Sequence, residues 1–254
     1  MPKSAIRTVS DLVSRVAEIK REQLVQGNKS DLLFRGQPCD KPLLPKLGRI
    51  ALKGKLPRIE KLLLDNFDQA SLPFRDFEPK DDWDLLALAQ HHGLPTRLLD
   101  WTYSALAALW FAVRNPPEKK EDGKGLENGV VWVLCALLDD FRINTKHGGP
   151  FDNKSRTRIF RPKAISPRIV AQSGVFTVHR LQKPAGEKSF RFVPLEKNLN
   201  YEDKLVKITI PPSAFSSLRS ELNMLNANAA LLFPDLDGLC SHLSWRHSKL
   251  KDEI

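Results

Sequence analysis

A polar run that leads directly into an apolar helix is the feature of this sequence that most constrains its fold. Residues 105–113 read Ala-Leu-Ala-Ala-Leu-Trp-Phe-Ala-Val, and the preceding residues 97–104 carry five ionisable or hydroxyl side chains. We expect a strand over 96–101 and a helix over 103–114. A helix that is apolar on every side must be buried. The polar run is therefore attached to the interior of a domain, where a site can be held rigidly.

Hydrophobic periodicity and turn residues predict the other elements. Helices are expected over 10–26, with Ser10 as N-cap, and over 57–71, 80–92, Ser213 to about 224, and from Pro234 past Trp245; strands are expected over 31–36, 130–136, 174–179 and 205–211. These elements do not alternate regularly, and no internal repeat separates them. The pattern predicts a single α+β domain, with a mixed, mostly antiparallel sheet and flanking helices.

The chain is strongly basic, which favours an anionic partner. Its 254 residues carry a formal net charge of +10. A nucleotide, another polyanion or a nucleic acid is the expected partner, and a solvated basic surface is the alternative.

Apolar runs and cysteines exclude several classes of protein. No apolar run approaches the ~20 residues of a membrane helix, and the first residues lack the apolar core of a secretory signal. We therefore expect a cytoplasmic protein with no membrane contact. Cys39, Cys135 and Cys240 are too far apart in sequence for a Cys-x-x-Cys pair, so no metal site is expected, and Cys135 and Cys240 are predicted to lie in the core.

Arg35 is the first candidate for a binding residue. It ends an apolar strand and precedes Gly36. A guanidinium in that position needs a partner, and its planar fork matches a phosphate or a carboxylate. A structural ion pair to a residue such as Asp100 is the alternative. Gly36 allows close approach of a ligand or of another backbone.

The polar run and two neighbouring segments supply further candidates. Thr102 and Ser104 stand where the helix begins, so at least one of them is expected to be an N-cap. His91 ends a helix and is interpreted either as a general base or as a residue favoured there by the helix dipole. We expect one pocket to contain Arg35, His91, Arg97, Asp100, Thr102, Ser104 and Gln172.

Four ordered motifs resemble the FRG-domain family of bacterial and phage proteins. They are Phe34-Arg-Gly36, the run from Gln90 to Thr102, Ala171-Gln-Ser-Gly-Val-Phe-Thr177, and Leu232-Phe-Pro-Asp-Leu-Asp-Gly238. The resemblance implies an FRG domain over 30–245, preceded by an N-terminal helix within 1–29 and followed by a tail over 246–254. The biochemical role of the family is poorly defined, so the resemblance does not supply a reaction.

The order of these segments is also similar to mono-ADP-ribosyltransferases of the arginine-serine-glutamate class. This similarity implies an ADP-ribosyltransferase-like fold that uses NAD. Arg35 would hold the pyrophosphate, and Thr102 and Ser104 would stand near the serine-threonine-serine motif. Gly36 and Arg97 are the other residues expected to bind the cofactor. The aromatic residues that could stack on nicotinamide are Trp101, Tyr103 and Phe176.

One position departs from that class. Gln172 falls near the catalytic glutamate, but an amide carries no charge to stabilise the cationic sugar left when nicotinamide departs. Asp100 is the alternative source of a carboxylate.

Three functions follow from these residues. The first is an ADP-ribosyltransferase-like enzyme or toxin or defence effector that uses NAD. The second is a non-catalytic sensor or regulatory domain that binds a nucleotide or a nucleic acid. The third is a metal-dependent nuclease built on His91, His92 and Asp100, and the lack of an acidic cluster makes it the weakest.

Overall fold

A computed structural model describes residues 5–75, 78–142, 148–152, 156–162, 171–183, 186 and 189–254. The strands are β1 Asp31–Gln37, β2 Leu98–Thr102, β3 Gly129–Ala136, β4 Arg158–Phe160, β5 Gly174–Val178, β6 Leu181–Gln182, β7 Arg191–Phe192 and β8 Leu205–Ile210. The helices are α1 Val9–Val25, α2 Leu56–Ser71, α3 Asp82–His91, α4 Ala105–Val113, α5 Phe215–Met224, α6 Ala229–Leu232 and α7 Leu236–Arg246.

Six strands form one sheet in the order β4-β5-β2-β1-β3-β8, and every neighbouring pair is antiparallel. The short β6 and β7 make a separate two-stranded pair. All eight residues of β3 are buried, as expected for the almost continuously apolar strand that lies inside the sheet between β1 and β8. The α+β class and the antiparallel sheet with flanking helices are confirmed.

Local signals in the sequence explain where the helices begin. Ser104 Oγ accepts a hydrogen bond from Ala107 N at 3.2 Å, which confirms that one of the two hydroxyl residues caps α4. The prediction of Ser10 as the cap of α1 is wrong, because Thr8 fills that role. Thr8 Oγ1 accepts from Asp11 N, and Asp11 accepts in return from Thr8 N.

The two faces of the sheet are covered by different apolar clusters. Phe34 of β1 packs with α1, α4 and α5, whereas its neighbour Leu33 packs on the opposite face with Leu99 and Trp101 of β2. Side chains alternate along a strand, so Arg35 shares the face of Leu33, and Gly36 shares the face of Phe34 that carries α4.

Beyond one residue pair, β1 and β2 are not paired with each other. Their only register pair is Phe34 with Thr102, whereas β1 pairs with β3 along seven residues and β2 pairs with β5 along five. A ladder continued from that pair would bring Arg35 beside Trp101 and Gly36 beside Asp100. The backbone groups of these residues are left to find other partners.

Two further observations concern exposure. The prediction of Cys240 as a core residue is wrong, because its side chain is exposed on α7, while Cys39 and Cys135 are buried. Within the part of the chain that the structure describes, no helix has both the length and the apolar character needed to cross a membrane.

Candidate functional site

A cavity of about 1000 Å³ lies where β1 and β2 diverge. Each of the four motifs named above contributes to its lining. The lining residues are Phe34, Arg35, Gly36, Pro38, Lys46, Gln90, His91, His92, Gly93, Asp100, Trp101, Thr102, Phe111, Arg114, Gln172, Pro234 and Asp235. Of the seven residues expected in one pocket, the structure brings five together: Arg35, His91, Asp100, Thr102 and Gln172.

Arg35 is held at the cavity by the unpaired edge of β2. Its Nη1 donates to the backbone carbonyl of Asp100 at 2.9 Å, a group that a continued ladder would have satisfied from the backbone of β1. The same nitrogen is 3.7 Å from Asp100 Oδ2, which is an ion pair but too long for a hydrogen bond. Its buried Nε has no hydrogen-bond partner among the described residues. The guanidinium is therefore oriented by its own chain but retains an unused donor.

Burial lowers the pKa of Arg35, Asp100 opposes that shift, and Arg49 adds to it. Arginine stays charged in proteins even so, because its guanidinium is a very strong base. A charge that is desolvated and incompletely paired is favourable for binding an anion.

Asp100 is fixed by a chain of hydrogen bonds that starts at a backbone amide. Thr96 Oγ1 accepts from Leu98 N at 3.0 Å, so its own proton goes to Gln90 Oε1 at 2.6 Å. That bond turns the amide nitrogen of Gln90 toward Asp100, where it donates to Oδ1 at 3.0 Å and Oδ2 at 3.1 Å. The Asp100 side chain remains 59 % exposed.

Gln172 is tied to the protein by both its backbone and its side chain. Thr102 Oγ1 donates to the carbonyl of Gln172 at 2.6 Å, and Gln172 Nε2 donates to the carbonyl of Leu232 at 3.1 Å. Ser173, the next residue, has a φ of 46°, a strained value for a residue with a side chain. These bonds join the third and fourth motifs to the end of β2.

Arg97 lies outside this cavity, contrary to the expectation. It is 2 % exposed and makes a two-point ion pair with Glu60, from Nε to Oε1 at 2.7 Å and from Nη2 to Oε2 at 2.5 Å. Its Nη1 donates to the carbonyl of Pro150 at 2.9 Å. All three of its nitrogens are used within the protein, so Arg97 fastens α2 to the sheet.

Gly36 and Ser104 also have structural roles. A Cβ atom on Gly36 would stand 1.7 Å from the carbonyl oxygen of Ala108, so the backbone that approaches this glycine is α4. Ser104 does not line the cavity, since its hydroxyl caps α4.

Of the aromatic residues named for stacking, only Trp101 lines the cavity, and its Nε1 donates to Thr177 Oγ1 at 3.1 Å. Phe176 is in the core, and the hydroxyl of Tyr103 accepts from Arg161. The sequence did not point to Phe111, Lys46 or Arg114 as lining residues. Phe111 lies in α4 and Arg114 directly follows it. The apolar character of α4 predicts burial but does not predict that its end borders a cavity.

His91 is the last residue of α3, and its ring contacts that of His92 edge-on at 4.9 Å between centroids. Among the residues that the structure describes, no three His, Cys, Asp or Glu side chains form a group that could hold a metal ion. His91, His92 and Asp100 thus line one cavity without forming a metal site.

Comparison with known proteins gives one match. No curated protein and no solved structure matches the chain. The family model of the FRG domain matches residues 30–121, which contain the first two motifs; the expected extension to residue 245 and the limits 1–29 and 246–254 stay predictions. This segment supplies Arg35, the Thr96–Gln90–Asp100 chain and Thr102 to the cavity. The protein accordingly carries an FRG domain, matched over residues 30–121.

Proposed function

We propose that the cavity between β1 and β2 binds a nucleotide through its phosphates, with NAD as the first candidate. The observation that carries this proposal is Arg35, whose guanidinium is held at the cavity with one buried donor unused. A phosphate that contacts the exposed part of this guanidinium, 16 % of the side chain, supplies an acceptor and a negative charge. The backbone carbonyl and the carboxylate of Asp100 orient the guanidinium without saturating it.

The size and lining of the cavity suit a nucleotide. About 1000 Å³ is at the upper end of the range for small-molecule sites, which is about 300–1000 Å³. Lys46 and Arg114 add positive charge to the lining, and the partly exposed Phe111 supplies a flat apolar surface. Asp235 lines it too, but its carboxylate caps α7 by accepting from Gly238 N at 2.7 Å.

An ADP-ribosyltransferase-like reaction requires a carboxylate beside the sugar, and we assign that role to Asp100 rather than Gln172. As nicotinamide leaves, positive charge develops on the sugar and a fixed carboxylate stabilises it. Asp100 is held by two hydrogen bonds from Gln90 and is exposed to the cavity. Gln172 is neutral, and its amide is bonded to Leu232. Under this assignment Arg35 binds phosphate, Asp100 stabilises charge, and Thr102 and Gln172 maintain the end of β2; the general-base role of His91 stays a prediction.

Calorimetric titration with NAD and with ADP-ribose tests the binding step in wild type, Arg35→Ala and Arg35→Lys. Losing a hydrogen bond to a charged group costs about 1.5–3 kcal/mol, so Arg35→Ala should weaken binding by roughly 10- to 150-fold, with Arg35→Lys between. Arg21→Ala is the matched control, since Arg21 is exposed on α1 and does not line the cavity. If folded Arg35→Ala binds as tightly as wild type, the proposal is wrong.

Chromatographic detection of released nicotinamide, with label transfer from NAD to protein or nucleic acid, tests the reaction. Asp100→Asn should keep NAD affinity within a few-fold and slow release by about 10²–10³. Gln172→Ala should slow it far less. An equal loss in both variants would contradict the assignment of Asp100.

A non-catalytic nucleotide sensor is the second candidate, favoured by the Gln172–Leu232 hydrogen bond that ties down the position where the enzyme class has its glutamate. Saturable NAD or ADP-ribose binding with no nicotinamide release would establish this function instead.

A further inference from the structure

A second concentration of positive charge lies at the opposite end of the sheet from β8, around the edge strand β4. A shallow depression there is lined by five arginines and a single carboxylate, Asp152, among the described residues. It shares no lining residue with the cavity between β1 and β2. Arg97 forms its floor and is neutralised by Glu60. The other four, Arg142, Arg156, Arg158 and Arg180, are called the arginine patch below.

Two members of the arginine patch, Arg156 and Arg158, are only weakly neutralised by the protein, whereas Arg142 lies in the field of Asp81 and Asp84. Asp139 is 82 % exposed, and it contacts both Arg156, at 2.6 Å, and Arg158, whose Nη1 also donates to the carbonyl of Asp139. Solvent-exposed ion pairs contribute about 0–1 kcal/mol, so a phosphate can replace this carboxylate at little cost. Asp140 is fully buried and is engaged at 2.7 Å by Lys204, so it compensates Arg156 only at 3.5 Å.

Three guanidinium groups of the patch have unused donors. The Nε atoms of Arg156 and Arg158 are buried without a hydrogen-bond partner among the described residues. Arg180 is exposed, and within the same part of the chain its guanidinium makes no hydrogen bond or ion pair. Arg142 adds its charge from a position over the ring of Trp83, at 4.1 Å from the centroid. The exposed guanidinium of Arg180 and the partly exposed ones of Arg156 and Arg158 surround one depression, where their planar forks match the oxygens of phosphates.

The shape of the depression excludes a buried small molecule. Its volume is about 10 Å³, which is room for about one water molecule. A ligand must therefore lie across the surface and contact several arginines in succession. A chain of phosphodiesters does this, and the net charge of +10 that the whole chain carries attracts it.

We propose that the arginine patch binds the phosphodiester backbone of a nucleic acid. The inference does not depend on the function proposed for the cavity, because the two sites have no residue in common. Phosphate contacts carry no base sequence information, so binding should be largely independent of sequence and sensitive to salt.

Fluorescence anisotropy with labelled single-stranded and duplex oligonucleotides, over 50–200 mM salt, tests the proposal. On a duplex, each phosphate that a protein cation neutralises contributes about 0.9 to the slope of log K against log salt, so Arg158→Gln with Arg180→Gln should lower that slope by about 1.8. The control is Arg21→Gln with Arg246→Gln, which removes the same charge from exposed helical positions. An unchanged slope in the first pair, or an equal reduction in the control, would overturn the proposal.

Asp139→Asn should change the affinity for the oligonucleotide in the opposite direction, and its measurement does not depend on the folding of the arginine variants. The variant removes a negative charge that would repel a bound phosphate, and at about 4 Å between the two charges this should tighten binding by about fivefold. If a folded Asp139→Asn variant binds the oligonucleotide as weakly as wild type or more weakly, the proposal is wrong. It is also wrong if poly-glutamate with the same number of charges binds as tightly as the oligonucleotide. Arg35→Ala should bind the oligonucleotide like wild type, which separates failure of this site from failure of the cavity.

Discussion

The buried pair between Arg97 and Glu60 allows a quantitative test of the role that the structure gives to Arg97. Glu60 is 5 % exposed and Arg97 is 2 % exposed, and two hydrogen bonds of 2.7 and 2.5 Å join them. Replacing Arg97 by Met leaves a buried carboxylate without its cation. Breaking a buried pair in this way costs about 3–5 kcal/mol. For a chain of this size that loss lowers the melting temperature by roughly 6–20 °C.

The double variant with Arg97→Met and Glu60→Met distinguishes the pair from the packing around it. Two apolar side chains of similar length leave no charge to desolvate, so we expect most of the stability to return. Urea unfolding of wild type, both single variants and the double variant gives the coupling free energy. NAD affinity should stay at the wild-type value in the folded double variant. A loss below 1 kcal/mol in both single variants, or a loss of NAD affinity in the stable double variant, would refute this account of Arg97.

Three further predictions concern packing, thiols and pH. Gly36→Ala should cost at least about 3 kcal/mol in urea unfolding, because its Cβ would overlap a backbone oxygen of α4, whereas Gly149→Ala, with no atom within 4 Å, should change little. Exposed Cys240 should react quickly with a thiol reagent in the native protein, and Cys240→Ser should abolish this rapid phase of the reaction. Burial protects Cys39 and Cys135 and raises the pKa of Cys135 to about 11. A rapid phase that survives Cys240→Ser would contradict the assignment of that phase to Cys240. Burial first, and then the charges of Arg35 and Arg97, lower the pKa of His179 to about 3. In the unfolded chain this imidazole takes up a proton as the pH falls below about 6.5, whereas in the folded protein it stays neutral down to about pH 3. The free energy of unfolding should therefore fall as the pH drops from 6.5 toward 3, by up to about 1.4 kcal/mol per pH unit from this group. His179→Gln should reduce the pH dependence of urea unfolding by that amount.

The fold class and the position of Arg35 followed from local pattern. Burial of a helix that is apolar all round, an almost continuously apolar strand and the N-caps are properties of neighbouring residues, and each is visible within a few positions of the chain. Thr8 and Ser10 have the same capping chemistry two residues apart, so local pattern does not show which of them caps α1. Arg97 and Arg35 look alike in sequence, since each is an arginine at the end or beginning of an apolar strand.

Read alone, the sequence predicts which segments are buried and that they form an α+β domain, and it places Arg35 and Asp100 in the segment that the FRG family model matches. Which arginine keeps an unused donor beside the cavity depends on the folded chain. That choice depends on Glu60, which is 37 residues from Arg97 along the chain, and on the separation of β1 from β2, which leaves the Asp100 carbonyl to Arg35. The physical reason is that an arginine's availability is set by the acceptors around it in space, and long-range packing places those acceptors.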